Sequence, residues 1–174
     1  MTRTRLPLLF LDVDGPLIPF GATRAQLPDG YPIFDAGRGL GEAAANPLVN
    51  RVDPGQGSRL LALPCELVWA TTWMSDANTY LTPWLGLPEL PVVNWPDPPL
   101  DEGLDGLHWK TPGLVGWACG RPFVWVDDEI TDVDRSWVKA HHPGQALLHR
   151  VEAWRGLTDA DFATLDEWLR NRAS

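Results

Sequence analysis

Asp12 and Asp14 stand one residue apart where a hydrophobic run ends, in "LLFLDVDGPL" (residues 8–17), with Gly15 and Pro16 directly after them. Residues i and i+2 of an extended strand share a face. Two like charges are thereby held together at the mouth of a buried segment. A second acidic group, Asp127, Asp128 and Glu129, ends the apolar run "PFVWV", and a third run, "ELVWA", ends in the hydroxyls of Thr71 and Thr72. Carboxylates gathered at strand ends are costly unless a cation neutralises them, and oxygen-only ligands select a hard divalent ion, Mg²⁺ first. Capping is the competing use of acids; it suits Asp132 and Asp134 better than Asp12, Asp14 and Asp128. An EF-hand is excluded, because a loop starting at Asp12 has Pro16 as its fifth residue. A DxD-type glycosyltransferase site normally follows a nucleotide-binding half, and here only eleven residues precede Asp12.

The elements that must position these groups alternate. Apolar, β-branched and aromatic runs at 7–13, 66–72, 91–95, 122–128 and 145–151 read as strands. Helix-like segments at 75–86, 110–120, 131–142 and 158–172 lie between and after them. Thr158 is the predicted N-cap of the last helix, Pro83 limits the first, and Pro112 falls where a helix start tolerates it. The fold class predicted is α/β: a three-layer, open Rossmann-like sheet, mostly parallel and covered on both faces. In such a sheet the functional crevice lies outside the carboxyl ends of the strands. Residues 16–64, rich in Gly and Pro, interrupt the alternation. They read as an insertion in a single domain spanning 1–174, with a hairpin (17–21 with 31–34), a short strand at 48–52 and a helix at 56–63.

The chain has 174 residues, a formal net charge of −9 and only 14 Lys and Arg. That balance argues against extended binding to a nucleic-acid backbone. The first apolar run is too short for a signal peptide, and no stretch is long enough to span a membrane, so the expectation is a soluble cytoplasmic protein with no membrane partner. Cys65 and Cys119 lack metal-ligand spacing and read as buried free thiols. The ten tryptophans read mostly as core, Trp69, Trp125 and Trp168 among them.

Taken in order, "LFLDVDGPL", "LVWATTW", "HWKTP" and "FVWVDDE" resemble the four motifs of the haloacid dehalogenase-like superfamily, phosphatase branch. The overall pattern, "ELVWATTW" with "WVDDE" and a late "GLT" before the last helix, is also similar to such domains in RNA-repair proteins. The resemblance implies a Mg²⁺-dependent phosphohydrolase with Asp12 as nucleophile, forming an aspartyl-phosphate, and Asp14 as general acid and base. It implies that Thr71, with Thr72 adjacent, binds a phosphoryl oxygen and that Lys110 neutralises phosphate charge and steadies Asp12. The metal would be held by Asp12, the main-chain carbonyl of Asp14, and Asp128 or Asp127. Dehalogenases lack the second acid, so Asp14 favours phosphate chemistry. Pro16 departs from the family, which commonly has Thr there. The insertion lacks the long helices of a bundle-type cap, which implies a minimal or absent cap and an open site. Arg24, Arg38, Asn50 and Arg51 are candidates to contact a phosphorylated small molecule or nucleotide, Arg51 foremost. A phosphotransferase, an RNA-end phosphatase and a catalytically silent binding module remain as alternatives. His108, beside Lys110, reads as structural.

Overall fold

The computed structural model describes residues 5–35, 46–96 and 106–172. Four strands, β1 (Leu8–Leu11), β2 (Glu66–Trp69), β3 (Phe123–Asp127) and β4 (Ala146–Arg150), form one sheet in the order β2-β1-β3-β4. Every pairing is parallel. Five helices accompany them: α1 (Gln56–Ala62), α2 (Asp76–Leu85), α3 (Thr111–Ala118), α4 (Asp132–His141) and α5 (Asp159–Arg170).

Alternation along the strands builds two cores. Leu9, Leu11, Leu67, Trp69, Val124 and Val126 pack with α1, α2 and α5 on one face. Leu8, Phe10, Val68, Phe123 and Trp125 pack with α3 and α4 on the other. A sheet covered on both sides requires apolar residues at successive positions, which is why its strands read as unbroken hydrophobic runs. Leu17, Ile18, Val49, Val52, Leu60 and Leu63, from the stretch expected to be an insertion, belong to the first core. Among the described residues, no helix is long and apolar enough to cross a membrane.

Several expected elements differ. The strand predicted at 91–95 is reduced to one bridge, Trp69 to Val92, because flanking prolines leave only a short stretch able to pair with the edge of β2. No hairpin joins 17–21 to 31–34. The Val13 carbonyl instead accepts from the N–H groups of both Leu17 and Ile18, folding the chain into a tight turn in which Ile18 bridges Asp14. The predicted strand at 48–52 is a 3-10 turn at Val49–Arg51; the Asn46 side chain starts it by accepting from the Leu48 N–H at 3.0 Å. Pro83 does not end α2, which runs on to Leu85 and closes on Gly86 in the left-handed conformation. Cys65 is half-buried and Cys119 exposed, so neither is a core thiol. Burial still pushes the Cys65 thiol up to about 12.

The topology names its own crevice. From β1 the chain crosses through α1 to β2 on one side, whereas from β3 it crosses through α4 to β4 on the other. Adjacent strands whose connections diverge to opposite sides leave an opening at their carboxyl ends. Here those ends are Asp12 and Asp127.

Candidate functional site

Strand parity decides which side chains meet in that crevice. Leu8 and Phe10 of β1, like Phe123 and Trp125 of β3, face α3 and α4. The next residues of the same parity are Asp12 and Asp127. Register pairs Leu11 with Val126, and the Asp12 N–H extends the ladder to the Val126 carbonyl at 3.0 Å, so the two acids emerge side by side. Lys110, at the start of α3, reaches between them. Its Nζ lies 2.9 Å from Asp12 Oδ2 and 2.8 Å from Asp127 Oδ2. All three side chains are buried.

The two acids are held differently. Asp127 Oδ2 also accepts from the Trp125 indole at 3.2 Å, and its Oδ1 accepts from the Glu129 N–H at 3.0 Å. Among the described residues, Asp12 Oδ1 accepts only from the Val13 N–H, at 2.8 Å. Half-buried Asp128 completes the group: one carboxylate oxygen from each of Asp12, Asp127 and Asp128 lies within 4.8 Å of the others. Gly15 makes that approach feasible. Its φ is +89°, and a Cβ there would sit 2.7 Å from the Asp128 Cγ.

Three carboxylates against one ammonium leave the cluster short of positive charge. Burial, with the neighbouring Asp127 adding to it and Lys110 opposing, pushes the Asp12 carboxyl up to about 7. Burial and then Asp127 raise Asp128 to about 6. For Lys110, burial works against the charge, but Asp12 and Asp127 more than offset it and hold the ammonium above its ordinary value.

The remaining predicted residues fall around this core. Asp14 is outside the trio, its Oδ2 accepting from the Trp73 indole at 3.0 Å. Thr71 is buried just beyond β2; its hydroxyl oxygen accepts from the Trp73 N–H at 3.2 Å and its carbonyl from the Trp95 indole at 3.0 Å. Thr72 is exposed. Arg51 is engaged elsewhere, donating to the Pro19 carbonyl at 3.4 Å with its guanidinium 4.9 Å from the centre of the Tyr31 ring. It lines a cavity of about 280 Å³ bordered by Pro16 and Trp154. The Asn50 carbonyl accepts from the Phe34 N–H, Arg24 is exposed, and Arg38 lies outside the described residues.

Two further residues hold Lys110 in place. His108 Nδ1 accepts from the Lys110 N–H at 3.1 Å, which puts the ring proton on Nε2, 3.1 Å from Glu129 Oε2. His108, Asp127 and Glu129 also bring their polar atoms within 4.8 Å of one another. A protonated Nε2 has no lone pair for a metal, so this second grouping is a hydrogen-bonded clasp. Asp134, fully buried, accepts from the His108 N–H at 2.9 Å, the Thr111 hydroxyl at 2.6 Å, and the N–H and hydroxyl of Thr131, both at 2.8 Å. It ties the loop bearing Lys110 to the turn after β3.

No family model, curated protein or solved structure matches the chain. What the site can do has therefore to be read from its own atoms. Sequence reasoning brought forward Asp12, Lys110, Asp127 and Asp128, which the fold gathers, and it missed Trp73, Trp125 and the Asp134 hub. Tryptophans in apolar runs read as packing; the signal for Trp73 was its place two residues after Thr71.

Proposed function

We propose that this chain is a Mg²⁺-dependent phosphohydrolase of the haloacid dehalogenase-like type that works through an aspartyl-phosphate at Asp12. The observation that carries the reading is the Lys110 ammonium held between Asp12 and Asp127 at the diverging strand ends, in a cluster that still has more acid than base. An oxygen-only donor set with surplus negative charge fits a hard divalent ion. Asp12, Asp128 and the Asp14 main-chain carbonyl would hold it, and when bound it would neutralise charge on the phosphoryl oxygens. Asp127, whose two oxygens accept three hydrogen bonds, serves instead to fix Lys110.

An Asp12 carboxylate oxygen attacks phosphorus while the bond to the ester oxygen breaks. That oxygen leaves with the bonding pair and takes a proton from Asp14. Water then attacks the aspartyl-phosphate as Asp14 takes one of its protons; the bond from phosphorus to Asp12 breaks and restores the carboxylate. Lys110 and the Thr71 hydroxyl stabilise the phosphoryl oxygens throughout. The N–H groups of Val13, Gly15, Leu17 and Ile18 are bonded within the loop that follows β1, and Pro16 has none.

The test is hydrolysis of a generic aryl phosphate with Mg²⁺ present. Asp12→Asn abolishes turnover while circular dichroism stays unchanged. Full activity in that variant overturns the mechanism. Product analysis with and without an added alcohol separates release of inorganic phosphate from transfer to another acceptor.

A further inference from the structure

We infer that Trp73 is the residue that positions both the proton-transferring acid and the phosphate-binding hydroxyl; the inference rests on the reaction just proposed. One tryptophan reaches both groups: its indole N–H meets Asp14 Oδ2 at 3.0 Å and its main-chain N–H meets Thr71 Oγ1 at 3.2 Å.

The chemistry of each bond gives it a direction. An indole N–H only donates, so it pairs with a carboxylate oxygen that carries no proton. Oδ2 of Asp14 is therefore the accepting oxygen, and Oδ1 is the one that hands its proton to the ester oxygen as the bond from phosphorus to that oxygen breaks. At Thr71 the main-chain N–H occupies a lone pair of the hydroxyl oxygen. The hydroxyl hydrogen stays available for donation to a phosphoryl oxygen. The ring is itself held, half-buried and edge-to-face on Tyr80 with centroids 6.3 Å apart. Asp14 follows β1 and Thr71 follows β2, so Trp73 sets one strand end against the next.

A residue that acts through the proton donor leaves a mark that packing alone does not. Loss of general-acid help is felt little by an acidic leaving group and strongly by a poor one. The experiment measures kcat and kcat/KM for wild type, Trp73→Phe and Trp73→His over aryl phosphates from p-nitrophenyl to phenyl phosphate, with Mg²⁺. Trp73→Phe should lose only a few-fold on p-nitrophenyl phosphate and about ten- to a hundred-fold on phenyl phosphate, a fraction of the ~10²–10⁴ that a general acid contributes. Trp73→His, which retains a ring N–H, should recover part of the difference. An equal loss on every ester, or none, overturns the role of Trp73 while hydrolysis by the wild type stands. A well-folded wild type inactive on the whole series overturns the reaction, and this inference with it.

A second measurement does not depend on turnover. The indole ¹H–¹⁵N resonance assigned to Trp73 by its absence from Trp73→Phe should shift in Asp14→Ala. An unmoved resonance overturns the hydrogen bond and the proposal.

Discussion

At the scale of single residues, the cluster is a balance that Lys110 keeps. It is one of only two lysines in the chain and is buried between two acids. Lys110→Met leaves Asp12 and Asp127 facing each other without a cation. Removing one partner of a buried ion pair costs about 3–5 kcal/mol, and urea unfolding at pH 8 without metal should show a loss of that order. Protonation relieves the like-charge repulsion, so the loss should shrink at pH 5; an equal loss at both values would mean that electrostatics is not its source. Asp12 and the acidic pair were legible because charges at the ends of apolar runs have few structural uses, and Lys110 was legible through the motif resemblance of "HWKTP". Trp73 was not, because an indole N–H at a carboxylate is a property of the fold and the residue type alone suggests packing. Arg51 lies apart from the acidic cluster, its guanidinium over the Tyr31 ring and bonded to the Pro19 carbonyl, a placement that residue type alone does not give.

Among the elements, four of the five apolar runs are strands, since burial on both faces of a parallel sheet demands that pattern, and the fifth, at 91–95, keeps a single bridge to Trp69. The misread ones are short and depend on individual hydrogen bonds: Asn46 turns 48–52 into a 3-10 turn, and Val13 closes the 13–18 loop. Capping was legible in part. Thr158 caps α5 as expected, in a reciprocal box with Asp161, and Thr131 with Asp134 builds the same box on α4. The two boxes differ in reach, because Asp134 also holds His108 and Thr111 next to Lys110, whereas Asp161 pairs at 2.8 Å with His149 of β4, away from the cluster. Asp134→Ala should therefore cost about 2–4 kcal/mol, a lost cap plus orphaned donors, and should lower kcat on an aryl phosphate. Asp161→Ala should destabilise α5 and leave kcat unaltered in protein that remains folded. Equal kcat in the two variants would remove Asp134 from any part in placing Lys110.

For the whole molecule these charges set a stability profile with two edges. Asp134 and Asp161 are held below the ordinary carboxyl value: each is opposed by burial but outweighed by hydrogen bonds, from Thr111 and Thr131 in one case and from Thr158 and His149 in the other. Their contribution is present above about pH 3.8 and is lost as the pH falls through their folded values. Asp12 and Asp128 behave oppositely. Raised from 3.8 to about 7 and about 6, they stay protonated in the folded state after the unfolded chain has ionised. Raising the pH through 6 and 7 therefore withdraws stability that was fully present below 3.8. In EDTA, thermal unfolding should give the highest Tm near about pH 4, with a fall as the pH rises from there to about 7 and another on the acid side. A divalent ion that binds only the folded, ionised cluster adds stability by mass action, and protons compete with it for the same oxygens. Added Mg²⁺ should thus raise Tm more at pH 8 than at pH 5.5 and flatten the alkaline edge. A Tm that climbs from pH 5.5 to pH 8 in EDTA would contradict the unbalanced charge at Asp12 and Asp128. A Mg²⁺ increment that does not grow with pH would separate the ion from those two acids.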